Sequence, residues 1–190
     1  EVTRAPDSLY DRLEPLLAAV AKPIQYIGGE VNSVRKDWGA VDVRWVLMYP
    51  DAYAVGAPNQ GLAILYEVLN ECDWILAERS YSVWPDLAAA MRAHGVPQFT
   101  LENHRPVAAF DVLGVSLSTE LGYTNLLAAL DLAGLPLHAS DRTDSDPIVI
   151  AGGHCSFNPE PVADFVDAVV LGDGEEAVLE VSEIVRAWKA

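Results

Sequence analysis

The residues best suited to chemistry fall in four short stretches of small, polar or acidic side chains. The first is Tyr49-Pro50-Asp51-Ala52-Tyr53-Ala54-Val55-Gly56 and the second is Ser116-Leu117-Ser118-Thr119-Glu120. The third is Gly152-Gly153-His154-Cys155-Ser156 and the fourth is Gly172-Asp173-Gly174-Glu175-Glu176. Glycines let main-chain amides approach a ligand closely, and runs of such amides cradle polar groups. Ligand binding is the chemistry on offer. No spacing pairs a nucleophile with a base. His154 and Cys155 are adjacent with no second pair nearby, which argues against a metal site and against a Cys155 nucleophile. G-x-G-x-x-G and G-x-x-x-x-G-K-[ST] are both absent, so neither a dinucleotide fingerprint nor a Walker loop is expected. Each stretch also has a plain structural reading. Gly152-Gly153 and Gly172-Asp173-Gly174 suit tight turns, and Asp51 suits a turn after Pro50. Ser116 and Ser118 suit a helix cap, and Glu175 and Glu176 a first helical turn.

Apolar runs precede these stretches and must position them. Val41 to Tyr49, Val112 to Leu117, Ile148 to Ala151 and Ala168 to Leu171 read as buried strands, with a further strand at Trp74 to Ala77. Helical stripes alternate with them. Leu62, Leu65, Tyr66 and Leu69 mark one; Pro85 opens the next and Gly95 closes it. Leu126, Leu127 and Leu130 mark a third, ended by Gly134 and Pro136. Asn158-Pro159 suits the cap and first position of a short helix, and Val178, Leu179, Val181, Ile184, Val185 and Trp188 lie on the last one. Uniformly apolar strands alternating with amphipathic helices predict an α/β fold with a parallel sheet covered on both faces. The expected architecture is flavodoxin-like: a doubly wound five-stranded sheet in the order 2-1-3-4-5. Ligands then bind at the carboxyl ends of the strands, where the four stretches collect.

Residues 1 to about 40 read as an N-terminal arm, and residues 41 to 190 as the main domain. The arm carries a helical stretch from Ser8 to Ala21, with Pro15 inside it and Pro23 stopping it. Ile24-Gln25-Tyr26-Ile27 looks strand-like, and Gly28-Gly29 makes a turn.

The 190 residues carry 12 Lys and Arg against 28 Asp and Glu, a net charge of −16. That balance argues against direct nucleic-acid binding, which needs clustered cations, and against an anionic membrane surface. Apolar residues make up 51%, too many for a disordered chain. No apolar run approaches the roughly 20 residues of a spanning helix. Glu1 to Pro6 hold no signal-peptide core. Two cysteines, Cys72 and Cys155, exclude a disulfide framework and a four-thiolate cluster site. A cytoplasmic setting is expected.

Taken together, several strings resemble one family. They are Tyr26-Ile27-Gly28-Gly29-Glu30, Tyr49-Pro50-Asp51-Ala52-Tyr53 with Gly56, and Gly61-Leu62-Ala63-Ile64-Leu65-Tyr66. Ala77-Glu78-Arg79, Phe110-Asp111 through Ser116-Leu117, and Tyr123-Thr124-Asn125 extend the likeness. Ala151-Gly152-Gly153 with Asn158-Pro159-Glu160-Pro161, and Gly172-Asp173-Gly174-Glu175-Glu176, are the most telling. Over roughly residues 22 to 185 the chain resembles the N-terminal cobalamin-binding-like domain of bacterial radical S-adenosylmethionine (radical SAM) proteins of uncharacterised substrate. The resemblance implies a cofactor- or substrate-positioning domain that is not itself catalytic. It also implies a downstream radical SAM barrel as partner, holding a [4Fe–4S] cluster on C-x-x-x-C-x-x-C and binding S-adenosylmethionine. That motif is absent from this chain. A macromolecular substrate of the parent is a further expectation.

Cobalamin domains that supply a protein imidazole to cobalt carry D-x-H-x-x-G after the first strand. Here Asp51-Ala52-Tyr53-Ala54-Val55-Gly56 puts Tyr53 at the His position. Some radical SAM relatives hold cobalamin without that His, with the nucleotide tail tucked against the sheet. By that likeness the cofactor-binding positions are Asp51, Tyr53, Gly56, Ser116, Ser118, Gly152, Gly153, Gly172, Asp173, Gly174 and Glu175. Two readings stay open: a cobalamin-holding domain, and a degenerate one that serves as a protein-interaction module. A flavin-binding protein is a third, disfavoured by the lack of a Ser/Thr-rich phosphate loop after the first strand. An unplugged strand edge would separate the first reading from the second.

Overall fold

A computed structural model describes residues 7–190. The signal-peptide reading of Glu1 to Pro6 concerns residues outside that range. Five strands, β1 Val43–Tyr49, β2 Ile75–Tyr81, β3 Val112–Ser116, β4 Ile148–Gly152 and β5 Ala168–Val169, form one sheet. All pairings are parallel and the order is β2-β1-β3-β4-β5, the flavodoxin-like arrangement that the sequence predicts. The helices are α1 Tyr10–Leu17, α2 Tyr53–Gly56, α3 Gln60–Glu71, α4 Pro85–His94, α5 Gly122–Ala133 and α6 Glu175–Lys189.

Alternate residues of each strand face opposite sides of the sheet. Trp45, Leu47, Val112 and Ile150 pack with Leu62 and Leu69 of α3 and Val178 and Val185 of α6. Val46, Met48, Leu113 and Val149 pack with Leu126 and Leu130 of α5 on the other side. Burial of both faces is why the strands read as unbroken apolar runs. Helix ends follow local chemistry. Asn59 Oδ1 accepts from the Leu62 amide at 2.9 Å at the start of α3. Pro85 is the first residue of α4, and Gly95 closes it in the left-handed conformation at φ 63°.

The arm is attached by apolar and polar contacts. Leu13, Leu16 and Leu17 of α1 and Tyr26 pack on Leu87 and Met91 of α4. Lys36 Nζ donates to the carbonyls of Asn70, Cys72 and Ile75 at 2.8, 2.7 and 2.6 Å, closing the carboxyl end of α3. Gly28 and Gly29 take φ of 67° and 90°, but the hydrogen-bonded turn expected there comes just after them, with Ser33 N donating to Glu30 O at 3.0 Å. A Cβ on Gly28 would run into the Leu101 carbonyl oxygen.

Four further expectations need correction. Ile24 to Ile27 is not a strand: Pro23–Tyr26 is a 3-10 turn. Pro23 fixes φ for a turn, and Tyr26 buries its ring toward α4 instead of meeting a strand partner. Asn158-Pro159 does not open a helix. The 3-10 turn comes earlier, at His154–Phe157, and Asn158 sits at φ −121°, ψ 81°. Pro161 disfavours helical geometry at Glu160, so the segment continues as turns. The second strand does not stop at Ala77. It runs to Tyr81 through Glu78, Arg79 and Ser80, all buried. Its outer edge is covered: Leu101 N donates to Arg79 O at 2.7 Å. The fifth strand is shorter than expected, two residues in place of four.

Candidate functional site

Parallel strands deliver their carboxyl ends to one edge, so the loops after β1, β3, β4 and β5 emerge side by side. Ser116 stands opposite Gly152 in the β3–β4 ladder, and Ala151 opposite Val169 in the β4–β5 ladder. Between this edge and helices α3 and α6 lies a cleft of about 270 Å³. That is near the lower end of the ~300–1,000 Å³ usual for small-molecule sites.

The cleft is graded. Trp45, Leu47, Leu62, Ile150 and Val178 line it and are buried. Leu65 and Val181 line it half-buried. Polar and small residues form the more open part: Ser116 and Gly152 are half-buried, and His154, Gly172, Asp173 and Glu175 are exposed. Trp45 is fixed from behind, with Nε1 donating to Ser182 Oγ at 2.9 Å and Ser182 donating to the Val178 carbonyl at 2.6 Å. Its indole lies against Gly114, where a Cβ would come within 3.1 Å of Cζ3. Gly153, at φ 98°, takes a turn that only glycine adopts readily, and a Cβ there would stand 2.9 Å from Leu117 O. At Gly152 and Gly172 an added Cβ would meet nothing within 4 Å, so both open onto free space.

Seven of the residues singled out from the sequence therefore line one cleft: Ser116, Gly152, Gly153, Gly172, Asp173, Gly174 and Glu175. The other four stand beside it on the same edge. Asp51 and Ser118 share a small depression with Ser116. Asp51 Oδ1 accepts from the Ala52 amide at 2.6 Å, which holds the turn after β1. Gly56 is buried, and a Cβ there would come within 2.6 Å of the Tyr81 ring. Tyr53 donates its hydroxyl to Glu30 Oε1 at 2.7 Å and sets its ring edge-on to Tyr81 at 5.4 Å. Burial first, and then the hydrogen bond to Glu30, push the Tyr53 pKa up to about 12, so it remains a donor.

The apolar lining, Trp45, Leu47, Leu62, Ile150 and Val178, carries no functional signal of its own; from sequence it reads as ordinary core. One residue gave a hint. Gly114 interrupts an apolar strand, a pattern that marks close approach of another group. Among the described residues no group of three or more His, Cys, Asp or Glu side chains is placed to hold a metal ion. None of their helices is long and apolar enough to cross a membrane.

A second polar cluster, on the β2 edge, ties the arm to the sheet. Glu102 Oε1 accepts from Arg79 Nε at 2.6 Å and its Oε2 from the Arg79 amide at 2.7 Å. Asn103 donates to Glu78 at 2.7 Å, and Arg35 of the arm donates to the Glu102 carbonyl at 3.1 Å. Burial pushes the Glu102 carboxyl up to about 7 against the pull of Arg79. It also raises Glu78, opposed by hydrogen bonds from Thr100 and Asn103.

The sheet order defines a doubly wound α/β domain, with a cleft at the carboxyl edge where open sheets of this kind take their ligands. The family model described as radical SAM proteins, N-terminal, matches residues 61–190, and the chain belongs to that family. A radical SAM parent follows, with the iron–sulfur cluster and S-adenosylmethionine that the class implies. No curated protein matches the chain.

Proposed function

We propose that this domain holds cobalamin for a radical SAM enzyme and positions it beside the parent's iron–sulfur and S-adenosylmethionine chemistry. The observation that carries the reading is the open space at Gly152 and Gly172, inside a cleft that no bulky side chain plugs. A plugged edge would favour the degenerate, cofactor-free module.

The residues fit an aromatic nucleotide tail. Trp45, Leu47, Ile150 and Val178 would exclude water from its base. Ser116 and the main chain at Gly152, Gly153, Gly172 and Gly174 would meet its sugar and linker. Among the described residues no Lys or Arg lines the cleft, while Asp173 and Glu175 do, which disfavours the dianionic phosphate of a flavin mononucleotide more than the singly charged phosphodiester of a cobalamin tail. Bound cobalamin supplies cobalt-centred group-transfer or redox chemistry. This chain contributes binding and orientation. Tyr53 is committed to Glu30 and offers no imidazole, so cobalamin would be held without a ligand from the loop after β1.

Exposed Leu121, Phe157 and Leu171 on three of the rim loops support docking of the downstream radical SAM domain over this edge. The chain's acidic charge disfavours direct contact with a nucleic acid.

Titration of the purified chain with hydroxocobalamin tests the reading. A saturable change in the visible spectrum with a rise in melting temperature is expected. No spectral change and no thermal shift at large ligand excess would overturn it.

A further inference from the structure

The half of the cleft that would take the base has a composition that discriminates among bases. Its buried lining is Trp45, Leu47, Leu62, Ile150 and Val178. These side chains carry one polar atom, the Trp45 Nε1, and it is already donated to Ser182. Ser182 in turn is spent on the Val178 carbonyl. The sheet backbone behind them is paired along the ladders: Leu47 with Gly114, and Gly114 with Ile150. A ligand reaching this depth finds contact surface, and these described side chains offer it no free hydrogen-bond partner. Polar groups return where the cleft opens, at Ser116, Gly152, His154, Gly172, Asp173 and Glu175.

Corrinoids in nature differ in the base of their nucleotide tail, and the main classes differ in edge polarity. A benzimidazole presents a carbocyclic edge with C–H groups. Adenine presents an exocyclic amine and ring nitrogens, each of which loses its water on entry and needs a replacement partner. We propose that this cleft selects corrinoids with a benzimidazole-class base over those with a purine base. The inference rests on the cobalamin reading and deepens it. Selection comes from leaving the purine's donors and acceptors unpaired, and an apolar lining rejects such a ligand by roughly 10–100-fold.

The test is calorimetric titration of the 190-residue chain with three corrinoids: hydroxocobalamin, its adenine-bearing analogue, and cobinamide, which has no base. Hydroxocobalamin is expected to bind at least about tenfold more tightly than the adenine analogue. Cobinamide is expected to bind less tightly than hydroxocobalamin. Detaching the base from cobalt costs benzimidazole more than adenine, so the measured ratio understates the preference of the cleft itself. Equal affinity for the two complete corrinoids, with cobinamide weaker, overturns the selectivity and leaves the cobalamin reading standing. Equal affinity for all three overturns the selectivity and the placement of the tail in the cleft. No binding of any of them overturns the cobalamin reading, and the selectivity with it.

Discussion

The Tyr53 hydroxyl donates to the Glu30 carboxylate at 2.7 Å, joining the turn after β1 to the N-terminal arm. Tyr53 is held protonated by burial and by that partner. The bond spans 23 positions in the chain, so it fixes arm and loop together. Tyr53→Phe deletes the donor and keeps the ring against Tyr81. We expect a loss of about 1 kcal/mol in urea denaturation, because Glu30 is half-buried and recovers some hydration. An unchanged midpoint would show that the bond contributes nothing to stability.

Gly152→Leu should separate folding from binding. A Cβ at Gly152 meets nothing within 4 Å, so the leucine side chain enters open space. Stability should change by no more than about 0.5 kcal/mol. Hydroxocobalamin affinity should fall by at least about tenfold, since the added side chain occupies the cleft mouth. A variant that binds as tightly as wild type would place the corrinoid elsewhere.

Glu102 should make stability depend on pH with an unusual sign. Its folded pKa is about 7, above the ordinary glutamate value of 4.5, so the folded chain holds the proton more tightly than the unfolded one. Stability from this group is therefore greatest below the unfolded pKa and is lost as pH rises through the folded one. Arg79 favours ionisation and the nearby Glu78 opposes it. Relative to Glu102→Gln, wild type should lose stability as pH rises from 4.5 to 7. Parallel stability curves for the two proteins across that window would contradict the assignment.

Lys36→Met should destabilise the chain by about 1.5–3 kcal/mol in chemical denaturation. The substitution keeps the aliphatic stem and removes the ammonium, leaving the carbonyls of Asn70, Cys72 and Ile75 without that donor. Burial already lowers the Lys36 pKa, against the pull of Asp73. A loss below about 0.5 kcal/mol would mean that water replaces the lysine freely.

The sheet was legible because its strands are buried on both sides, so Val43 to Tyr49 and Val112 to Ser116 stand out as apolar blocks. The polar half of β2 was not legible. Glu78 and Arg79 are tolerated at the sheet edge only because Thr100, Glu102 and Asn103 pair with them, and such pairing has no local signature. The glycine-rich rim announced itself through Gly152-Gly153 and Gly172-Asp173-Gly174, which lie where parallel strands must release the chain. The apolar half of the cleft stayed hidden, because Leu47 and Ile150 beside a void read the same as Leu47 and Ile150 in a filled core. Ile24 to Ile27 misled in the arm, where an apolar stretch resembled a strand but had no edge to join.

One consequence follows from the brevity of β5. Only Ala168 and Val169 stitch that strand to β4, whereas β1 is paired to β2 along seven residues. Val170 to Gly174 thus follow the shortest seam of the sheet, and they also line one side of the cleft. Local opening at so short a seam costs less than global unfolding. Amide protons of Ala168 to Leu171 should exchange with deuterium well ahead of those in Val43 to Tyr49. Equal protection at the two places would mean that the short seam opens no more readily than the sheet centre.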